Sequence, residues 1–278
     1  MIGASVSTRG GLPNGFKFAE QTGCEAIQLY VAPSRTWQIG DLPASVCREF
    51  RAAWSESKVV AVVAHASLLI NLASVEADLR NKSIDRLAHE MLRCSLLGID
   101  DIIVHPGSNP SNLEGQKLLG DSLDRLIKRT FQVRILLETA AGQGNSIGAR
   151  LDELRNAMDS RDSTDRLGIC LDTCHLFAAG YDIRGKNGYE RVIAEVGTIV
   201  GLDRVKAIHV NDSQVELGRR VDRHSEFVGS GCIGIETFEA LVRDPRFGGV
   251  PLIAEAPNTD TLTRPNVELL KRLRNSGL

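Results

Sequence analysis

The sequence predicts a (β/α)8 barrel from three observations. Eight short apolar runs alternate with longer segments of helical apolar spacing along the whole chain. The 278 residues suit eight such units, which typically occupy ~250. The last six runs each end in, or lead directly to, a His, Asp or Glu. A closed ring of parallel strands brings its carboxyl ends together in this way, whereas an open doubly wound sheet gathers its ligands at one switch point.

Taken in order, the strand-like runs are IGASVS at 2–7, AIQLYV at 26–31, VVAVVAH at 59–65, DIIVH at 101–105, RILLET at 134–139, LGICLD at 167–172, VKAIHV at 205–210 and PLIAEA at 251–256. Segments 75–97, 114–129 and 262–274 between or after them carry helical spacing. The first unit places Gly10, Gly11 and Gly15 around a helix start. They do not form GxGxxG, and no acidic residue follows where a ribose would need one, so a dinucleotide site is not expected. The loop after the second strand, APSRTWQIGDL, offers Arg35 and Trp37 either as rim packing or as nucleic-acid contacts. The third loop sets Leu68, Leu69 and Ile70 beyond His65, as core or as a wedge for base steps. His89 falls inside a helical segment and reads as an ordinary helix residue.

Composition narrows the function classes. Hydrophobic content of 42% and a mean hydropathy of -0.09 allow a full core, and no repeat or low-complexity tract divides the chain, so one barrel domain over 1–278 is expected. A formal net charge of -2 and a pI near 6.3 carry no global basic signature. Contact with nucleic acid would therefore need a local patch or bound cations. There is no basic n-region, apolar h-region or run long enough to span a membrane, which predicts a soluble cytoplasmic protein. The six scattered cysteines suit reduced, mostly buried thiols.

The functional residues gather around LGICLDTCHLFAAGYD at 167–182, a buried-strand run ending in Asp172 with His175 in the loop beyond. Alone, that pair reads as a helix cap beside a chance histidine. The rest of the chain changes the weighting, because five of six histidines fall at or just past the ends of apolar runs. Collecting these ends gives His65, His105, Glu138, Asp172, His175, His209, Asp222, His224 and Glu255. Nine such groups exceed the ligand needs of one ion and suit a cluster of two or three. Imidazole and carboxylate without thiolate favour zinc or manganese. Asp222 and His224, two apart in an extended loop, point the same way. Three divalent cations against four carboxylates leave a surplus of about two positive charges, which favours a phosphodiester.

The chain resembles the endonuclease IV family of zinc-dependent apurinic/apyrimidinic endonucleases over nearly its whole length. The motifs are HPGS at 105–108, AGQG at 141–144, LDTCHLFAAGYD at 171–182, HVND at 209–212, VDRH at 221–224 and PLIAE at 251–255. The resemblance implies a barrel with three zincs. His65 and His105 would hold the first, Glu138 would bridge to a second completed by Asp172, His209 and Glu255, and His175, Asp222 and His224 would hold the third. It also implies cleavage of double-stranded DNA 5′ to an abasic site, leaving a 3′-hydroxyl, by a monomer. Glu138 and Glu255 would act in catalysis, with Glu255 orienting or deprotonating the nucleophile.

Departures from the family pattern fall at Ser5, where a histidine is usual, at Leu68, where an aromatic is usual, at Thr139-Ala140 in place of Asn-Thr, and in a 225–233 loop one residue longer. They are expected to bear on DNA grip more than on metal binding. Leu68 and Leu69 are the expected wedge, and Arg219, Arg220 and Arg223 the basic cluster beside the chemistry. Two rival readings are a metal-dependent sugar isomerase or epimerase on the same barrel and a non-catalytic DNA-lesion binder. The Asp222 and His224 pair is surplus to the first, and strand scission separates the second.

Overall fold

The computed structural model describes residues 1–129, 132–159, 164–256 and 259–276. Eight parallel strands close in sequence order into a barrel: β1 (Ile2–Ser5), β2 (Ala26–Leu29), β3 (Ala61–His65), β4 (Asp101–Val104), β5 (Arg134–Glu138), β6 (Leu167–Asp172), β7 (Val205–His209) and β8 (Leu252–Ala254). The ring shuts where Ile2 of β1 registers with Leu252 of β8. All eight expected strands are present, most of them one to three residues shorter, because strand pairing stops where each chain turns out into its loop.

The helices are α1 (Asn14–Thr22), α2 (Ala44–Glu56), α3 (Ala77–Leu97), α4 (Asn112–Ile127), α5 (Leu151–Asp159), α6 (Thr173–Ala179), α7 (Gly185–Ile199), α8 (Ile235–Arg243) and α9 (Thr259–Asn275). Two apolar layers result. Alternate strand residues such as Val63, Ile103, Leu136 and Ile253 fill the barrel interior, while the opposite strand faces pack against the helices. Near-continuous apolar strands follow, since both faces are covered. All six cysteines are free thiols, five of them buried. Among the described residues no helix is long and apolar enough to cross a membrane.

Local sequence fixes the geometry of the rim. Asp172 ends β6 and caps α6, its Oδ1 accepting the His175 N–H at 2.8 Å, and Gly180 closes that helix in the left-handed region at φ 111°. His175 thus stands in the first turn of a helix and not in a loop as the sequence suggested, because the cap begins the helix immediately after the strand. In the HPGS loop Gly107 has φ 107°, and a Cβ there would collide with the Asn71 side-chain oxygen. That oxygen accepts the Ser108 N–H at 2.9 Å, so only glycine lets the third and fourth loops lock together.

Candidate metal centre

The carboxyl ends of β3 to β8 bring the expected ligands together. His65, Glu138, Asp172 and His209 are the last residues of their strands, and His105 and Glu255 follow β4 and β8 by one. In two groups the expected sets reappear whole, with ligand atoms all within 4.8 Å of one another: His65, His105 and Glu138, and then Glu138, Asp172, His209 and Glu255. Glu138 belongs to both, with Oε2 2.9 Å from His105 Nε2 and Oε1 2.8 Å from His209 Nδ1. The third set is arranged differently. Asp222 lies 3.2 Å from both His175 Nε2 and His224 Nε2, but the compact groups there are Asp172, His175 and His224, and Cys174, Asp222 and His224. Burial and the nearby Asp172 carboxylate push the Cys174 thiol up.

Hydrogen bonds set which ring nitrogen faces the cluster. His65 Nδ1 donates to the Ala66 carbonyl at 2.8 Å and His175 Nδ1 to the Thr139 carbonyl at 2.7 Å, which turns each Nε2 toward the cluster. The Nε2 atoms of His175 and His224 are buried without a hydrogen-bond partner among the described residues. Their 3.2 Å approach to Asp222 has ion-pair distance but not hydrogen-bond alignment. Two buried imidazole nitrogens facing carboxylate oxygens are the arrangement a divalent cation completes, and the mixed N and O donors suit zinc or manganese.

Charge tells the same story. Burial alone would pull the imidazoles down, yet the carboxylates of Asp172, Asp222 and Glu138 push His175 up to about 10, and Asp222, Asp172 and Glu255 push His224 up to about 9. Against the pull of burial, His209 and His105 hold Glu138 well below the carboxylate range. Concentrated negative charge demands a positive partner here, whether proton or metal ion.

Three residues of this centre escaped the sequence reading. Gln28, fully buried on β2, donates from Nε2 to Glu255 Oε1 at 2.6 Å and accepts at Oε1 from His209 Nε2 at 2.7 Å, which turns His209 Nδ1 toward the cluster. Asn211 donates to both Asp172 Oδ2 and Glu255 Oε2, at 2.7 and 3.2 Å. Tyr30 packs its ring 5.3 Å from that of His65. A lone glutamine in a strand carries no signal of this kind, although the Asn of HVND lies two residues from His209. Gln28→Leu is expected to weaken metal affinity about 10- to 100-fold, measured by chelator competition. Unchanged affinity would show that His209 is oriented without it.

Thr139 corrects the expectation that departures from the family pattern face DNA. Its carbonyl holds His175, and its hydroxyl accepts the Asp172 N–H at 2.8 Å, so it supports the ligands themselves. The apolar triplet divides. Ile70 is core, Leu69 is half-buried and Leu68 is 42% exposed, and Leu68 and Leu69 line a cavity of about 470 Å³ that also contains His105, Glu138, His175 and Asp222. Arg219, Arg220 and Arg223 are exposed and form no ion pair among the described residues. Arg220 stands at φ 54° with its side chain against Gly142 of AGQG. Arg35 is exposed, while Trp37 is half-buried with Lys82 Nζ 4.5 Å from its ring centre. In the 225–233 loop, Asp212 accepts the N–H groups of Gly231 and Ile233, and Phe227 is exposed.

A family model described as a xylose isomerase-like TIM barrel matches residues 16–273. The chain is similar to a protein of Chloroflexus aggregans named probable endonuclease 4, 42% identical over 278 residues that cover 98% of this chain and 97% of that one. It also superposes on the crystal structure of endonuclease IV from Thermus thermophilus with a TM-score of 0.86 and 31% identity, covering 99% of both chains. A D-tagatose 3-epimerase-like protein shares the fold with a TM-score of 0.74 at 19% identity over 99% of this chain and 98% of that one.

Proposed function

The chain belongs to the endonuclease IV family, within the xylose isomerase-like TIM barrels, and from that premise we propose that it is a DNA-repair endonuclease acting at abasic sites through three bound zinc ions. The observation that carries the reading is the continuous run of His and carboxylate groups joined through Glu138 and Asp172, four of which, His105, Glu138, His175 and Asp222, line one open cavity. In this reading His65, His105 and Glu138 hold one ion. Glu138, Asp172, His209 and Glu255 hold the second, and His175, Asp222 and His224 the third.

Zinc would supply Lewis-acid polarisation of the scissile phosphodiester and positive charge against its transition state. The residues of this chain do the remaining work. Glu255, with 21% of its side chain exposed beside the buried Glu138 and Asp172, is the carboxylate that would orient a water and take its proton, and Gln28 and Asn211 hold it still. Glu138 is 1% exposed and would serve as a ligand common to both sets, not as a proton acceptor. Leu68 and Leu69 fill the space an extruded nucleotide leaves in the stack, and Arg35 and Trp37 contact the strand beside it. The cut falls 5′ to the lesion and leaves a 3′-hydroxyl.

Nicking of a duplex with one abasic site, lost to a chelator and restored by zinc, tests the reading. An intact strand with fully metallated protein would overturn it, and a sugar epimerase would then be the reading to pursue. Removing Arg219, Arg220 and Arg223 together is expected to weaken duplex binding and to flatten its salt dependence by roughly one unit of slope for each phosphate these side chains neutralise. A binding titration at several salt concentrations checks this, and an unchanged slope assigns these arginines to structure.

A further inference from the structure

Two rim loops, the 31–40 segment after β2 and the 66–70 segment after β3, carry Arg35 and Trp37 on one side and Leu68 and Leu69 on the other. Residues 33–40 form neither helix nor strand. Three of their carbonyls end on one side chain. Arg86 of α3, 4% exposed, donates from Nη1 to the carbonyls of Thr36 and Trp37 at 2.7 and 3.2 Å and from Nη2 to that of Pro33 at 2.9 Å.

The second loop meets the same pair of residues from the other side. Nε and Nη2 of Arg86 both donate to Glu90 Oε1, at 3.0 and 2.8 Å, one helical turn along α3. The other carboxylate oxygen of Glu90 accepts the Ser67 N–H at 3.1 Å. Ser67 Oγ and the Leu68 N–H then both donate to the Ser34 carbonyl, at 2.8 and 3.0 Å, closing a circuit from one loop to the other. Arg93, one turn further, adds bonds to the carbonyls of Val31 and Gly40.

We infer that the buried Arg86–Glu90 pair positions the two rim loops as a single rigid unit, so that Arg35 and Trp37 engage a DNA strand at a fixed distance from Leu68 and Leu69; this rests on the abasic-site reading above. Energetics argue against a role in stability alone. A buried ion pair costs desolvation that an apolar pair of similar volume avoids, and such replacement is often neutral or stabilising. What an apolar pair cannot do is hold three loop carbonyls and a loop N–H at once: the five-donor guanidinium fork of Arg86 takes the carbonyls and the Glu90 carboxylate takes the N–H. Loops held in their binding geometry before DNA arrives lose less entropy on binding.

Arg86→Met combined with Glu90→Leu keeps the volume and removes both charges, and Arg86→Lys keeps the charge but not the fork should the double variant fail to fold. In either variant, amide hydrogen exchange without DNA is expected to speed up in both the 33–40 and 67–69 segments. KM for an abasic duplex should rise about tenfold with kcat little changed, as loss of uniform binding requires. Faster exchange in one segment alone, or in neither, overturns the coupling, and both segments loosening with KM unchanged overturns its part in DNA engagement. A wild-type chain that leaves abasic duplex intact would fail the endonuclease reading instead, and hydrogen exchange would then decide the coupling by itself.

Discussion

Glu255→Gln is expected to lower the proposed incision rate by about three orders of magnitude while abasic duplex is still bound, because a neutral amide cannot take a proton from the nucleophile. The surrounding hydrogen bonds add to the loss. Both carboxylate oxygens of Glu255 face N–H donors, Gln28 Nε2 on one and Asn211 Nδ2 on the other. A side-chain amide would have to point its NH2 at one of them. If Gln28 turned over to accept it, its own NH2 would confront His209 Nε2, and the ring would lose the donor role that turns Nδ1 to the cluster. Single-turnover nicking, read beside metal content and a binding titration, separates these effects. A variant that cuts like wild type would place Glu255 outside the reaction.

Stripping the protein of divalent cations is expected to abolish incision altogether and to return the cluster to protons as its counter-charge. The sign follows from the imidazoles. His175 and His224, pushed up to about 10 and about 9 by surrounding carboxylates, carry protons at neutral pH in the metal-free protein, and each ring must lose one to offer its lone pair. Zinc uptake near neutrality should therefore release at least two protons per chain. Affinity should climb as pH rises, levelling once both rings are neutral. Calorimetry in two buffers of different ionisation enthalpy counts the protons. Uptake with no proton release would mean that these rings are not ligands.

Much of this was legible in the sequence because the signals are local and periodic. Eight apolar runs of strand length, each followed by a turn and most by helical spacing, specify a barrel residue by residue, and a strand that ends in a ligand can only deliver it to the rim where all strands end. His65, Glu138, Asp172 and His209 were readable for that reason, and His105 and Glu255, one residue further, nearly as directly. The family was readable from HPGS, LDTCHLFAAGYD and VDRH, where chemistry dictates consecutive residues.

Contacts between distant segments were decided only by the tertiary structure. Gln28 and His209 are far apart in the chain, and nothing about a strand glutamine announces that both ends of its amide are committed to the metal centre. Arg86 and Glu90 have the i, i+4 spacing of any charged pair on a helix, and only burial beneath two loops reveals what they hold. Leu68, Leu69 and Ile70 are consecutive and equally apolar, yet one is exposed, one half-buried and one core, because the loop turns between them. Periodicity fixes which face of an element is apolar, while orientation of a polar side chain depends on partners that only closure of the barrel brings within hydrogen-bond reach.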